Sequence, residues 1–535
     1  MRSIFVVALA FAGHALAQIN VPGAVPVNKV EPLQHRLAYA GTTGMTVSWN
    51  TYEKIEQPTV YYGTDSWDLS SYATGESVTF QTSWTWSNHV KITGLKSNTK
   101  YYYMVSHTNC YNCSELPAYT FTTAREAGDL TPYTTAVVID LGVMGEDGLS
   151  TTSAGAMSAE DSTTIQSLAR FIDGYDFVWH PGDIAYADYW LKEQIQKYLK
   201  PVAVEEGYEV YNRLLNKYYD QMQPVTATRP YMVGPGNHEA NCDNGGTTDK
   251  EKNITYTVEL CMEGQTNFTA YRDHFRMPST ESGGVDNFWY SWDHGMVHYV
   301  QIDTETDLGH GYIAPDEPGG TGKENSGPFG LLNQQTDWLE KDLASVDRTK
   351  TPWVIVSAHR PYYAAQQGAN ICTSCRDVFE PILLKHNVDL VLFGHIHFYE
   401  RNAPIANGVA DPNELNNPSA PWYILNGAGG HYDGIDTYDE PLPDYVRFIQ
   451  DTTYGWSKLT FHNCTHMTHE FIVSGNGTVL DSATLYKNHT CAMKPSNYTA
   501  TNSTAPITDE NGSSILKTSS TLLFVVVATV LMLSL

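Results

Sequence analysis

Between Ala136 and His397 the chain repeats one arrangement five times: a short, mostly apolar run that ends on residues able to bind a metal ion. Ala136-Val137-Val138-Ile139 leads to Asp140-Leu141-Gly142, and Phe177-Val178-Trp179 leads to His180-Pro181-Gly182-Asp183-Ile184-Ala185-Tyr186. Tyr231-Met232-Val233 leads to Gly234-Pro235-Gly236-Asn237-His238-Glu239, and Trp353-Val354-Ile355-Val356 leads to Ser357-Ala358-His359. Val388-Asp389-Leu390-Val391-Leu392-Phe393 leads to Gly394-His395-Ile396-His397. Runs of this kind predict buried strands, which in α/β proteins deliver side chains from their carboxyl ends into one crevice. Glycine directly before Asp183, Asn237 and His395, and two residues after Asp140, lets the backbone turn sharply and approach the site. Carboxylate and phenolate oxygens suit a hard, highly charged ion, and imidazole suits zinc, iron or manganese. Each motif alone has a plainer reading: Asp140 as a helix cap, Asn237 as a turn residue, His359 as a core residue. Five in succession point to a metal centre.

A chain of 535 residues exceeds one hydrophobic core, so several domains are expected. Residues 32–124 alternate as an all-β segment and resemble a fibronectin type III-like sandwich through Gly94-Leu95-Lys96-Ser97-Asn98-Thr99 ahead of Tyr101-Tyr102-Tyr103. Residues 131–450 mix apolar runs with amphipathic stretches, predicting an α/β layered domain. Ile165, Leu168, Phe171 and Ile172 fall on one helical face, as do Trp338, Leu339 and Leu343. The Gly/Pro-rich stretch 307–330, which holds His310, reads as a long loop. Residues 455–490 return to β character, with a hairpin around Ser474-Gly475-Asn476-Gly477, and predict a small C-terminal cap. Residues 494–514 are rich in Ser, Thr and Asn, as in a flexible linker.

The ends read as addresses. Residues 1–17 carry the charged, apolar and A-x-A parts of a signal peptide. Small residues at Asn511-Gly512-Ser513, a polar spacer and the apolar Leu522–Leu535 tail predict a GPI-attachment propeptide at 512–535, with Asn511 as the attachment candidate. A single-pass membrane anchor is the alternative. N-x-S/T triplets at Asn112, Asn253, Asn267, Asn463, Asn476, Asn488, Asn497, Asn502 and Asn511 agree with secretion. The cysteines fall into neighbours, Cys110/Cys113, Cys242/Cys261, Cys372/Cys375 and Cys464/Cys491. Two are C-x-x-C, which in a cytosolic chain suggests zinc or redox chemistry and in a secreted one local disulfides. The localisation expected is therefore extracellular or cell-surface, with membrane contact only through the lipid.

The five blocks resemble the D-x-G, G-D-x-x-Y, G-N-H-[DE], V-x-x-H and G-H-x-H blocks of the purple acid phosphatases, within the binuclear metallophosphoesterases. The likeness runs from about Pro32 to Lys487, and Tyr186 is its most specific letter. It implies an N-terminal β-sandwich, a four-layer α/β metallophosphoesterase domain and a β-rich C-terminal cap. It also implies that Asp140, Asp183, Tyr186 and His397 hold Fe(III). Asp183 would bridge to a divalent ion (Zn, Mn or Fe) held with Asn237, His359 and His395. His238 would face the substrate as the acid, with Asn237 also in contact with it. The implied activity is hydrolysis of phosphomonoesters at acidic pH; phytase, phosphodiesterase or nucleotide hydrolase activity on the same metal core is the alternative. Two positions depart from the pattern: Ile139 stands where a glycine usually precedes the first Asp, and no histidine follows His359 in Arg360–Gln367. Arg360 and His310 are candidates for the missing phosphate contact, while His466 and His469 are expected at the surface.

Charge fits this reading. With 32 Lys+Arg against 59 Asp+Glu the net charge is −27, which repels nucleic acid and leaves bound ions to attract an anionic substrate.

Overall fold

In this computed structural model, residues 25–106, 118–145, 157–158, 160–195, 199–200, 202–240, 248–249, 254–255, 264–306, 333–366, 371–430 and 434–490 are described. The N-terminal segment is a sandwich of two antiparallel sheets. One has the order β1 (Leu33–Tyr39), β2 (Met45–Thr51), β6 (Trp86–Ile92), β5 (Glu76–Val78). The other has β4 (Ser71–Thr74), β3 (Thr59–Gly63), β7 (Lys100–Ser106), β8 (Tyr119–Thr122). Alternation in the sequence becomes alternation of burial: along β7, Tyr101, Tyr103 and Val105 face inward.

A long helix, α3 (Gly207–Thr226), receives the sandwich. Gln34 Nε2 donates to Asn216 Oδ1 at 3.0 Å and to Asp220 Oδ1 at 3.0 Å. Just past the helix, Tyr103 Oη donates to the Ala227 carbonyl at 2.7 Å. These bonds replace water contacts that both surfaces lose on docking.

The α/β domain has two central sheets. The first runs β11 (Tyr231–Gly234), β10 (Val178–Pro181), β9 (Tyr133–Val137), β22 (Gly455–Phe461), β23 (His466–Val473), β24 (Val479–Tyr486). Its β9, β10 and β11 are parallel, and the C-terminal β-rich region adds its strands antiparallel beside β9. Two short strands, β12 (Thr248–Asp249) and β13 (Ile254–Thr255), pair separately. The second sheet runs β14 (Tyr290–His294), β15 (Val297–Gln301), β16 (Trp353–Ser357), β17 (Leu390–Phe393), β20 (Trp422–Asn426), β18 (Tyr399–Ala406), β19 (Val409–Ala410), with β21 (Val446–Gln450) on β18.

The five motif strands, β9, β10, β11, β16 and β17, are buried on nearly every residue of both faces, which explains why the five motifs read as continuous apolar runs. Val137, Trp179, Met232, Ile355 and Leu392 share the apolar layer between the sheets. Ala136, Val178, Val354 and Val391 belong instead to the apolar cluster that includes the buried faces of α1 (Thr164–Arg170), α3, α6 (Gln334–Ser345) and α7 (Thr373–Lys385). Short helices α2 (Trp190–Ile195), α4 (Thr269–His274) and α5 (Ser279–Ser282) fill the connections.

Three sequence expectations need correction. α1 stops at Arg170, so Phe171 caps it with 36% of its surface open instead of joining the apolar face. Ile172 starts a separate 3-10 turn and is only partly buried. His469 is fully buried, not on the surface; it contacts Ser457 Oγ at 2.9 Å and stacks on Tyr399. Its strand is an interior member of a sheet whose inner face packs on the other, a burial that the local pattern does not reveal. His466 is exposed, as expected.

Cys372 and Cys375 form a disulfide at the start of α7, and Cys464 is also disulfide-bonded. Asn463, Asn476 and Asn488 are exposed, whereas Asn267 is partly buried. His310, Cys110, Cys113, Cys242, Cys261, Cys491, Asn112, Asn253, Asn497, Asn502, Asn511 and both terminal address segments lie outside the described residues. Among the described residues no helix is long and apolar enough to cross a membrane.

Candidate metal centre

Each of the five runs forms a strand whose first ligand sits two or three residues past its carboxyl end, in the loop that turns away, with Tyr186 and His397 following further along two of these loops. Asp140 (φ 58), Asp183 (φ 52), Tyr186 (φ 51) and His395 (φ 72) all adopt the left-handed backbone region. For residues with a Cβ this costs on the order of 1–3 kcal/mol each, and such strain concentrates at functional sites. The loops are bonded together: Leu141 N–H donates to the Asp183 carbonyl at 3.1 Å, and Gly394 N–H to the His359 carbonyl at 3.0 Å.

Two glycines of the motifs have a steric reason. A Cβ at Gly236 would lie 2.2 Å from Asp183 Oδ1, and one at Gly394 2.2 Å from Asp140 Oδ2. Any larger residue there would push a carboxylate out of the cluster. Ile139 fits without glycine's freedom: it is buried, and its Cγ2 fills space against Gly394.

The seven predicted ligands come together. Tyr186 Oη lies 3.1 Å from Asp140 Oδ1, 3.2 Å from Asp183 Oδ2 and 2.8 Å from His397 Nε2. On the other side of Asp183, His359 Nε2 is 3.0 Å from its Oδ2 and 3.0 Å from Asn237 Oδ1. His395 Nδ1 is 2.8 Å from the same Asn237 oxygen. Ligand atoms of Asp140, Asp183 and His397 lie within 4.8 Å of one another, and so do those of Asp183, His359 and His395. Asp183 belongs to both groups.

Electrostatics says what such a cluster lacks. Burial pushes the Asp140 carboxyl well above the usual range, and neighbouring Asp183 adds to the rise. Asp183 is buried too, yet His359 and His238 hold it well below the normal value. Against its own burial, His359 is driven up to about 10 by Asp183 and Asp140. Burial and then the two carboxylates raise the Tyr186 phenol well above its ordinary value. Two carboxylates, a phenol and an amide oxygen thus converge where protein cations only partly offset them. Polyvalent cations reverse these signs by stabilising carboxylate and phenolate together. The donor set therefore fits two ions sharing Asp183: an oxygen-rich site with Tyr186, and one richer in imidazole with Asn237.

His238 stands apart from the ligands, with Nε2 3.8 Å from Asp183 Oδ2. Its Nδ1 lies 2.7 Å from Asp188 Oδ2, and its ring rests 4.2 Å from the Tyr186 ring, centre to centre. Asp188 was not singled out from sequence, although it follows Tyr186 by two residues and the intervening turn folds it back beneath His238. Glu239 was also passed over. Its buried carboxylate accepts the N–H groups of Asp183 (3.0 Å), Ile184 (2.8 Å) and Gly236 (2.8 Å), joining the loops that carry Asp183 and Asn237. Burial and nearby Asp183 raise it to about 8. Asp436 does the same for the last motif, accepting the His397 N–H at 2.9 Å while its own N–H donates to the His397 carbonyl at 3.0 Å. Acidic residues in loops carry no signature of such bonds until the loops meet. A groove of about 800 Å³ between the sandwich and α4–α5 includes none of these ligands in its lining.

The sequence matches three family models: "Purple acid Phosphatase, N-terminal domain" over residues 32–123, "Calcineurin-like phosphoesterase" over 158–399, and "Iron/zinc purple acid phosphatase-like protein C" over 420–482. It is 41% identical over 507 residues to acid phosphatase A of Cryphonectria parasitica, covering 89% of this chain and 95% of that protein. It is 33% identical over 546 residues to the acid phosphatase of Aspergillus ficuum, covering 83% and 85%. The fold also matches a solved purple acid phosphatase from yellow lupin (Lupinus luteus) seeds. That match has a TM-score of 0.65 at 23% identity and covers 86% of this chain and 75% of the other.

Proposed function

The chain belongs to the purple acid phosphatase family and is an acid phosphatase; on that premise we propose that it hydrolyses phosphomonoesters with Fe(III) and one divalent ion (Zn, Mn or Fe). The observation carrying this reading is Asp183, whose carboxylate belongs to both ligand groups. Asp140, Tyr186 and His397 would hold the ferric ion, since hard anionic oxygens stabilise the higher charge. Asn237, His359 and His395 would hold the divalent ion. When bound, the pair supplies charge to phosphate oxygens and lowers the pKa of the attacking water.

The chain's own groups do the rest. Asp188 fixes the His238 ring through Nδ1, leaving Nε2 on the side of Asp183. Protonated, that nitrogen hydrogen-bonds the substrate and donates to the departing alkoxide. Glu239 and Asp436 hold the ligand loops so that the site is set before substrate arrives.

The test is iron and divalent-metal analysis of the purified protein, its visible spectrum, and a phosphoester panel at pH 5. Two metal ions per chain are expected, at least one of them iron. So is a visible charge-transfer band that Tyr186→Phe removes while largely sparing the other ligands. A colourless, iron-free wild-type protein with full activity would reject the ferric assignment.

The terminal segments belong to the same reading: export directed by residues 1–17, glycans on the exposed Asn463, Asn476 and Asn488, and lipid attachment at Asn511. Release from intact cells by phosphatidylinositol-specific phospholipase C is expected, and finding the Leu522–Leu535 peptide in the mature protein would exclude the lipid.

A further inference from the structure

The second sheet of the sandwich has an outer face that takes no part in the metal centre. Within that sheet β3 pairs with β4 on one side and β7 on the other. Alternation sends Val60, Tyr101, Tyr103 and Val105 inward, so Tyr61, Tyr102 and Met104 stand on the opposite side. Tyr72 of β4 lies directly across from Tyr61, and Met104 of β7 lies across from it on the other flank. The two tyrosine rings are 6.1 Å apart, centre to centre, and 44° from coplanar. After β3 the chain turns back over Gly63, where any side chain would meet the Asp68 carbonyl. That turn carries Trp67 between the bridged Asp65 and Asp68. Trp67 is 86% exposed, Tyr72 67% and Tyr61 37%.

Three large aromatics open to water call for a reason. Together they leave roughly 300–500 Å² uncovered, the size of the largest apolar patch on an ordinary monomer, which is often functional. A standard protein interface buries about 800 Å² on each partner, so a second copy or another protein finds too little here. Charge narrows the choice further. Residues 59–74 contain no lysine or arginine, and the exposed carboxylates of Asp65 and Asp68 flank Trp67. Lys100 of β7 is engaged over the Tyr102 ring, 5.1 Å from its centre. Anionic lipid, nucleic acid and anionic polysaccharide are therefore disfavoured. The chemistry that fits is neutral, with flat apolar faces and polar edges. A pyranose ring has both: its slightly positive C–H groups meet the negative face of an aromatic ring, and its hydroxyls point outward. Exposed hydroxyls of Thr64, Ser66, Ser70 and Ser71, with the two carboxylates, can pair with those of a sugar. The rings lie along a sheet and its turn instead of in a pocket, which suits successive units of a chain better than one free sugar.

We propose that Trp67, Tyr72 and Tyr61 form a binding platform for a neutral pyranose polysaccharide, separate from the phosphatase site. The test uses the full-length, metal-loaded enzyme in depletion assays on cellulose, chitin and an insoluble β-1,3-glucan, with kcat for a small phosphomonoester as the measure of folding. Expected is saturable retention on at least one of these polymers that persists in about 1 M sodium chloride, where charge contacts are screened. Trp67→Ala with Tyr72→Ala should weaken that binding by roughly 10–100-fold, about tenfold per ring, at unchanged kcat. Trp67→Phe with Tyr72→Phe keeps aromatic faces and should retain most of the affinity.

A wild-type protein that none of the polymers retains, or that high salt releases, would overturn the proposal. Undiminished retention of the alanine variant would do the same, and so would a loss of its kcat, since the rings would then support the fold. The face would belong to a membrane if the alanine variant instead lost binding to phosphatidylcholine vesicles. It would belong to a second copy if that variant lost a concentration-dependent self-association seen by ultracentrifugation, and either result excludes the polysaccharide.

Discussion

β17 has a buried aspartate at one end and the last metal-binding motif at the other, and the two ends treat charge in opposite ways. At the amino end, Asp389 accepts the Val354 N–H at 2.9 Å and Arg348 Nη1 at 2.7 Å. Its other oxygen lies 3.1 Å from His489 Nε2 and 3.6 Å from Lys487 Nζ, both just beyond β24. Burial alone would raise this carboxyl, but Arg348, His489 and Lys487 hold it down at about 2. At the carboxyl end Asp140 is equally buried and is pushed up, with Asp183 beside it. Burial is the same; the difference is the protein's own supply of cations. A satisfied buried carboxylate closes a structure, whereas converging under-neutralised ones leave work for an ion.

The largest effect should come from breaking the carboxyl end at its shared residue. Asp183→Asn removes the group common to both ligand sets, so both ions should be lost or weakly held. Turnover should fall by roughly 10³–10⁵-fold, as expected when several kcal/mol of transition-state charge stabilisation disappear. Metal analysis alongside kcat checks this; a variant that keeps two ions and near-normal turnover would remove Asp183 from the bridging role.

Next in size, His238→Ala should lower turnover by roughly 10²–10⁴-fold while both ions remain bound. The penalty should shrink for esters with good leaving groups, such as nitrophenyl phosphate. Asp188→Asn should give a milder loss of about 10–100-fold and shift the pH profile, since it orients His238 without touching substrate. Metal loss in either variant would show that the pair supports ligands instead of donating a proton.

The same contrast separates what could be read from the sequence from what could not. The ligands were legible because each closes an apolar run, so strand and loop advertise it together. The sandwich was legible for a similar reason, as in the alternation of Tyr101, Tyr103 and Val105. Asp188, Glu239 and Asp436 were not legible as functional groups. Each is an acidic residue in a loop, and its role exists only through partners that the fold supplies, such as His238 for Asp188 and the Asp183 and Ile184 amides for Glu239. Arg360 could be suspected as a neighbour of the site from its place after His359, but not its buried carboxylate partner Glu305, 55 residues earlier. Asp389 was counted inside an apolar run, and its cations come from Arg348 and from beyond the last strand. His469 failed the other way, because its burial depends on one sheet lying over another.

Breaking the amino end should cost stability and spare chemistry. Asp389→Asn removes a charge whose folded pKa, about 2, lies below the ordinary 3.8. The pair therefore stabilises fully above about pH 4 and fades as pH falls towards 2, contributing about 2 kcal/mol at pH 5. The variant should melt several degrees lower at pH 5, approach wild type near pH 2, and keep its metal content and kcat at temperatures where it is folded. A drop in kcat with unchanged melting would mean that the two ends of β17 are coupled.

The smallest effect sharpens the comparison with a base in place of an acid. His298, near the amino end of β15, lies between Asp293 Oδ1 at 2.7 Å and Asp342 Oδ2 at 2.9 Å. It thus ties the β14–β15 hairpin to α6. Burial disfavours the imidazolium, but the two carboxylates outweigh it and raise His298 from 6.5 to about 9. Because the folded value is raised, its stabilisation is complete below about pH 6.5 and is lost as pH rises through about 9. Asp293 is partly open to solvent, which screens its share, so His298→Gln should cost only about 1 kcal/mol at pH 5. Melting curves of wild type and His298→Gln should be separated at pH 5 and converge above pH 9, at equal metal content. Both amino-end pairs are then fully formed at pH 5, where Asp389 is ionised and His298 is protonated. A gap in melting temperature that stays constant from pH 5 to pH 9.5 would mean that His298 stabilises by packing, with no contribution from its charge.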